Sequence, residues 1–314
     1  MTSPFHGSDV LVTGGTGSFG QTIVRQLLDG DASQVRVLSR DEAKQDAMRE
    51  QFSDDRIAFV TGDVRDASTV ETAMQGAQYV FHAAALKQVP NCERHPMEAI
   101  RTNALGSENV RQAALRCKPL TVVAISTDKA CAPINTMGLT KALMERLFLQ
   151  TNRRSNEPQF VCVRYGNVIG SRGSIIPLLA DRMRRGKTLP ITDPNMTRFL
   201  LRLPEAVETA LEAAVRGNHG ELWVRKMPAA TVADLVSAIA SDEYPREVIG
   251  TRPGEKLHEV LVNEDEMRRA TDRGTHYVIG SQRTALTGEY TSANTERLSV
   301  ESIRQLLRKA EVIP

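Results

Sequence analysis

Cysteine is scarce in this chain, and no two cysteines stand at a spacing that would hold a metal. Cys92, Cys117, Cys131 and Cys162 are widely separated, with no Cys-x-x-Cys pair, so nothing indicates a zinc site or a disulfide framework. No metal centre is expected, and a reducing compartment fits this usage. Long apolar runs are missing too: none approaches the ~20 residues needed to cross a bilayer. Residues 1–7 lack the positively charged region and apolar core of a signal peptide. A cytoplasmic protein without membrane insertion is therefore expected. Nor is one sign of charge in excess. The chain has 40 Lys and Arg against 38 Asp and Glu, a formal net charge of +2, which supplies no basic field for nucleic acid. The clusters Asn152-Arg153-Arg154 and Arg182-Met183-Arg184-Arg185 read as solvated helix faces. Internal repeats and low-complexity segments are absent.

What is present is an alternation of strand and helix patterns from Asp9 to about Gly170. It predicts an α/β fold with a doubly wound parallel Rossmann sheet and right-handed crossovers over residues 1–170. Helices are expected near 67–74, 97–116 and 139–152, and a strand over 159–165. Residues 171–314 read mainly as a smaller, non-contiguous C-terminal substrate lobe. Elements at about 204–225, a helix and then a strand, return to the sheet. The tail, 300–309, carries Ile303, Leu306, Leu307 and Ala310 at helical spacing, as a packing or oligomer helix would; a homo-oligomer is expected.

In the first half, Asp9-Val10-Leu11-Val12-Thr13 leads through Gly14-Gly15-Thr16-Gly17-Ser18-Phe19-Gly20 into an amphipathic helix. A glycine turn between strand and helix lets a pyrophosphate approach the backbone at the positive end of the helix. Gly14, Thr16, Gly17, Ser18, Phe19 and Gly20 are accordingly candidate dinucleotide contacts. An acidic residue is missing where the second strand ends in Ser39-Arg40. Arg40, with Ser39 and Lys44, suits a ribose 2′-phosphate, which favours NADP over NAD; the alternative is a solvated arginine at a helix start. Ala83, Ala84 and Ala85 keep the end of the fourth strand open to the cofactor's inner ribose. His82, one position earlier, reads as a packed core histidine.

The apolar run Val122-Val123-Ala124-Ile125 ends in Ser126-Thr127-Asp128-Lys129, the pattern of a buried parallel strand whose carboxyl end opens into a site. Lys141 follows Met137 by one helical turn on the same face. Cys131, beside the acid and the base, reads as a small buried hydrophobe, with a substrate-facing thiol as the alternative. Asp128 and Lys129 also admit a plainer role, as a helix N-cap and its surface partner.

Met137-x-x-x-Lys141 resembles the Tyr-x-x-x-Lys element of the short-chain dehydrogenase/reductase superfamily, with methionine in place of tyrosine. With the flanking Ser126-Thr127-Asp128-Lys129-Ala130, Pro133-Ile134-Asn135, Gly138 and Thr140, the chain is similar to the inverting UDP-N-acetylglucosamine 4,6-dehydratase family of extended short-chain dehydrogenases/reductases. A capsular and O-antigen branch of that family also carries methionine here. The resemblance runs from Val10 to about Val278. It implies a UDP-sugar substrate, NADP, a 4-keto intermediate with internal hydride return, and a place in making surface polysaccharide or glycoconjugate sugars.

By the same resemblance, Lys129 is the C5 base, Asp128 the acid for the departing C6 hydroxyl, and Lys141 the nicotinamide-ribose contact. Methionine has no proton to exchange, so Lys141 through water, Lys129, Thr127 or a substrate phosphate must take the C4 hydroxyl proton. Asp63 and Val64 would meet the adenine, Lys87 would approach both cofactor and substrate, and Tyr165 would pack near the nicotinamide. In the run Arg164 to Pro177, Asn167 and Ser174 lie near the diphosphate. Thr192 and Arg198 match the pattern, and Thr251-Arg252-Pro253-Gly254-Glu255-Lys256 places Arg252 on diphosphate and Glu255 on the uridine ribose. Two enzymatic alternatives keep the fold: a nucleotide-sugar 4-epimerase or reductase, and a dehydratase of another sugar or nucleoside. A third, of a different class, is a catalytically silent NADP-binding regulatory protein. Retention of Asp128 and Lys129 argues against it.

Overall fold

Six apolar segments lie side by side in parallel: β1 (Asp9–Thr13), β2 (Gln34–Ser39), β3 (Ile57–Thr61), β4 (Tyr79–His82), β5 (Thr121–Ile125) and β6 (Gln159–Arg164). The computed structural model describes residues 3–150, 157–171, 174–241, 243–310 and 312; Asn152-Arg153-Arg154, Arg172 and Gly173 lie outside the described residues. The strands pair in the order β6-β5-β4-β1-β2-β3, so the chain reverses its direction of travel beside β1, where α/β sheets open a binding crevice. β5 is buried along its whole length, which its unbroken run of apolar residues allows: helices cover both faces. Beyond β6 the sheet takes in Leu222–Arg225, parallel to it, then His276–Ile279, antiparallel, and then Ala270–Asp272, which pairs antiparallel with His276–Ile279. The result is a doubly wound Rossmann sheet of nine strands.

The first crossover helix, α1 (Ser18–Asp29), buries Ile23, Val24, Leu27 and Leu28, a single stripe at 3.6-residue periodicity. Full burial of each such side chain stabilises the fold by ~1.5–3 kcal/mol. α2 (Glu42–Phe52) and α3 (Ala67–Met74) start where Asp41 and Asp66 accept backbone N–H groups of Lys44 and Ser68, as N-caps do.

The helix expected over 97–116 is broken. Its first part is Pro96–Ala99, then a wide π turn spans Ile100–Leu105, and regular helix resumes over Gly106–Cys117. The reason is Asn103, which is fully buried. Its Oδ1 accepts from Leu86 N–H at 2.7 Å, and its Nδ2 donates to Leu86 O at 2.9 Å and Thr140 Oγ1 at 3.0 Å. The turn widens to bring that amide inward, a habit of π-bulges at functional sites.

In the C-terminal half, Thr197–Leu201 pairs with Asn167–Val168 and Ala229–Thr231, and Leu189–Ile191 pairs with Arg246–Val248. Ile303 and Leu307 of the tail helix Val300–Lys309 are buried in one cluster with Leu235, so its apolar stripe packs within the chain. Among the described residues no helix is long and apolar enough to cross a membrane.

Candidate active site

A cleft of about 1010 Å³ runs along the carboxyl ends of the parallel strands and is faced by residues of the C-terminal half. Every residue singled out above for cofactor, substrate or chemistry lines it. At the β1 turn, Gly14 has φ +69°, and a Cβ there would sit 2.7 Å from Ala84 N; only glycine lets this turn lie against the end of β4. Gly17 begins α1 without a side-chain cap, so Ser18, Phe19 and Gly20 bring the positive helix end to the cleft uncapped. Thr16 Oγ1 and Ser39 Oγ, 2.8 Å apart, tie this turn to β2.

Arg40, half exposed, donates to Asp63 Oδ2 at 3.3 Å, and Lys44 donates to Asp41. Burial pushes the Asp63 carboxyl up, but hydrogen bonds from Arg65 and the Arg40 charge outweigh it and hold its pKa below the usual value. Val64, Ala83, Ala84, Ala85 and Lys87 complete this wall. An uncapped helix end for a pyrophosphate and two cations farther along fit a dinucleotide. His82 is core: its Nδ1 lies 2.7 Å from Thr13 Oγ1, its Nε2 2.9 Å from Ser107 Oγ, and burial lowers its pKa to about 3.

Beyond β5 the chain makes one 3₁₀ turn, Asp128–Ala130. Thr127, not Asp128, caps it: Thr127 Oγ1 accepts from Lys129 N–H at 3.4 Å and donates to Asp128 Oδ1 at 2.9 Å. Asp128 is only 1% exposed, and Lys129 Nζ donates to its Oδ1 at 3.0 Å. The N-cap alternative therefore fails for Asp128, and Lys129, its partner, is partly exposed where it lines the cleft. Burial lowers the proton affinity of Lys129, but the charges of Asp128 and then Glu259 outweigh it, and the net pKa is raised. Lys129 therefore holds its proton firmly beside the Asp128 side chain, at the wall of the cleft.

The next helix, Thr136–Phe148, begins where Asn135 Oδ1 accepts from Gly138 N–H at 2.7 Å. A Cβ on residue 138 would collide with the Lys129 carbonyl oxygen, so glycine lets this helix dock on the acid–base turn. Met137, buried, packs with Cys92 and Ala99. One turn on, Lys141 Nζ donates to Ile125 O at 2.5 Å and to Met144 Sδ at 3.0 Å. Burial lowers its pKa to about 8, against the raising effects of Cys162 and Glu145. Cys131 turns its thiol to Glu266 Oε2 at 3.4 Å, and burial pushes it up to about 12. Tyr165 stacks on Phe19 with centroids 6.2 Å apart, and burial raises its hydroxyl pKa; it packs rather than titrates at neutral pH.

On the facing wall, Arg198 Nη1 donates to Thr197 O at 2.8 Å and Lys256 O at 3.0 Å, Thr192 Oγ1 donates to Met196 Sδ at 3.3 Å, and Glu255 Oε2 accepts from Arg252 N–H at 3.2 Å. Five lining residues carry a buried polar atom with no partner among the described residues: Thr102 Oγ1, Asp128 Oδ2, Asn167 Oδ1, Ser174 Oγ and Glu259 Oε2. Buried polar atoms are paired as a rule, and these five cluster along the cleft. Thr102 and Glu259 escaped the reading of the sequence. The only sign of Glu259 there is a lone acid heading the apolar stretch Val260-Leu261-Val262, and that stretch is a strand.

Fold and cleft together define an extended short-chain dehydrogenase/reductase, an enzyme of the nucleotide-sugar dehydratase/epimerase type. The family model for polysaccharide biosynthesis proteins matches residues 10–281, and a model for the C-terminal part of polysaccharide biosynthesis proteins matches 275–313. The chain belongs to this polysaccharide biosynthesis protein family. It is 46% identical to a protein of Rickettsia canadensis named UDP-glucose 4-epimerase, over 95% of this chain and 94% of that one. The solved structure of Pen from Bacillus thuringiensis superposes with a TM-score of 0.95 at 36% identity, covering 99% and 100% of the two chains. A dTDP-glucose 4,6-dehydratase of Streptomyces venezuelae, solved with NAD and TYD, shares the fold: TM-score 0.72 at 24% identity over 79% and 86% of the chains.

Proposed function

We propose that this enzyme is a 4,6-dehydratase that acts on UDP-N-acetylglucosamine with NADP and inverts C5, in the cytoplasm, in the synthesis of surface polysaccharide or glycoconjugate sugars. The observation that carries this reading is the hydrogen-bonded Asp128–Lys129 pair just past the end of β5, with Asp128 buried and Lys129 partly exposed, in one cleft with Lys141 and with methionine at 137. Elimination across C5 and C6 needs an acid and a base side by side. A 4-epimerase needs neither at those carbons.

A bound nicotinamide supplies the oxidation of the sugar C4 hydroxyl and the return of the hydride to C6. The chain does the rest. The glycine turn and α1 hold the pyrophosphate, with Arg40, Ser39 and Lys44 toward the 2′-phosphate. Arg252 and Glu255 hold the uridine diphosphate end, beside Asn167 and Ser174. With substrate in place, the Lys129 proton passes to Asp128 along their existing hydrogen bond. The amine then removes the C5 proton made acidic by the 4-ketone, and the Asp128 carboxyl protonates the departing C6 hydroxyl as water. Both groups end as they began, an ammonium beside a carboxylate; as hydride returns to C6, C5 takes a proton from solvent on the face opposite Lys129, which balances the proton given up by the C4 hydroxyl. Lys141, whose pKa of about 8 lets it exchange a proton near neutrality, receives the C4 hydroxyl proton through water, the duty that Met137 has no group to perform.

The name UDP-glucose 4-epimerase among the relatives favours a second reading, epimerisation at C4. Mass spectrometry of the products decides between the two. UDP-N-acetylglucosamine that loses the mass of one water supports the dehydratase; product of unchanged mass, epimerised from UDP-glucose or UDP-N-acetylglucosamine, overturns it.

A further inference from the structure

We propose that Glu259 is a positioning residue for the acid–base pair: it is the anion that holds the Lys129 ammonium while Asp128 carries its proton. This deepens the dehydratase reading and rests on it. Lys129 Nζ stands between two carboxylates, 3.0 Å from Asp128 Oδ1 and 3.6 Å from Glu259 Oε1. Arg198 Nε lies 3.8 Å from the same Glu259 oxygen, and its charge lowers the proton affinity of Lys129. Glu259 is 3% exposed, and its second oxygen has no partner.

The backbone around Glu259 is clamped. Glu259 N–H donates to Ser292 Oγ at 2.8 Å, Ser292 N–H donates to Glu259 O at 2.8 Å, and Ser292 Oγ donates to Thr197 O at 3.1 Å. A backbone pinned beside the lysine limits how far the Glu259 side chain must reorganise when the proton moves, which is what electrostatic preorganisation requires. The need for it follows from the order of steps. When the amine takes the C5 proton ahead of water loss, Asp128 is still a neutral acid and cannot balance the new ammonium. Glu259 can. Arg198 draws off part of that negative charge and so limits how basic Lys129 becomes.

The test is the pH dependence of Lys129 labelling by an amine-reactive reagent, read by peptide mass spectrometry on the folded enzyme. In Glu259→Gln the labelling midpoint moves down by about one pH unit, the shift a lost opposite charge at this range gives. Arg198→Gln moves it up. On the alkaline plateau, where Lys129 is all amine, C5 hydrogen exchange in Glu259→Gln falls about 3-fold or more, because the base is weaker; Glu259→Asp recovers part of both effects. A purely structural Glu259 would alter stability without moving the midpoint, so midpoints unchanged in Glu259→Gln and Arg198→Gln, or moved the same way in both, overturn the proposal. Should Glu259→Gln not fold, Glu259→Asp and Arg198→Gln carry the same sign test. Labelling needs no turnover. A shifted midpoint in an enzyme that yields no dehydrated product upholds the Glu259–Lys129 coupling and removes the dehydratase reading alone.

Discussion

Arg40 and Met137 are the residues where this site departs most from the commonest arrangement of its superfamily, and each makes a separate claim. Arg40 stands where a selector of the ribose hydroxyl would be acidic, and in this structure its guanidinium leans on Asp63 while half exposed to the cleft. A charge-assisted hydrogen bond to a phosphate contributes ~1.5–3 kcal/mol. Arg40→Ala should therefore weaken NADP binding by roughly 10- to 100-fold and leave NAD binding nearly unchanged, as measured by calorimetry. Equal losses for both cofactors would make Arg40 a general electrostatic contact. Met137 is packed against Cys92 and Ala99 and has no proton to give, whereas Lys141 is buried with its pKa brought near neutrality. Met137→Ala should keep turnover within about 10-fold of wild type, and Lys141→Ala should lose ~100-fold or more, the scale of a lost acid–base group. Steady-state kinetics at cofactor saturation compare the two; Met137→Ala as inactive as Lys141→Ala contradicts the assignment.

At the scale of elements, the site depends on how the helix Thr136–Phe148 docks on the turn Asp128–Ala130. Gly138 is the contact point, and a methyl group there runs into the Lys129 carbonyl. Gly138→Ala should destabilise by ~1–3 kcal/mol, as overpacking does. Its activity should fall further than that stability loss explains, because the helix carries Lys141 and the turn carries Lys129. Chemical denaturation and kcat, measured side by side, check this.

The strand before the turn was legible in the sequence for a local reason: Val122 to Ile125 is an unbroken apolar run. The helix expected over 139–152 was legible as an element but starts earlier, at Thr136, because Asn135 Oδ1 accepts from Gly138 N–H, and the turn Asp128–Ala130 was not expected. The π turn at Ile100–Leu105 was not legible, because the amide that widens it bonds to Leu86 and Thr140 in other elements. Glu259 stayed hidden for the same reason: what makes it part of the site is Lys129, far away in the chain and adjacent only once the sheet and the C-terminal half have met.

For the whole molecule, that meeting is organised by Arg164 at the end of β6, which is 1% exposed. Its guanidinium donates to both oxygens of Glu145 at 2.9 and 2.6 Å, to both oxygens of Glu266 at 2.8 Å, and to Leu261 O at 2.7 Å. Glu145 sits one turn beyond Lys141, and Glu266 belongs to the segment that also brings Glu259 to the cleft. One buried cation thus fastens the cofactor half to the substrate half. Arg164→Met strands two carboxylates in the interior and should cost about 3–5 kcal/mol, read as a fall in the denaturation midpoint; a variant as stable as wild type contradicts this role. In the proposed reaction the cleft so assembled removes a proton from C5 and water across C5 and C6. Proton NMR of UDP-N-acetylglucosamine turned over in deuterium oxide reads both events at once. The expected product is a 4-keto-6-deoxy sugar with inverted C5 carrying deuterium there, with no such product from Lys129→Ala. A C4 epimer that keeps its C5 proton and its C6 hydroxyl would contradict that reaction.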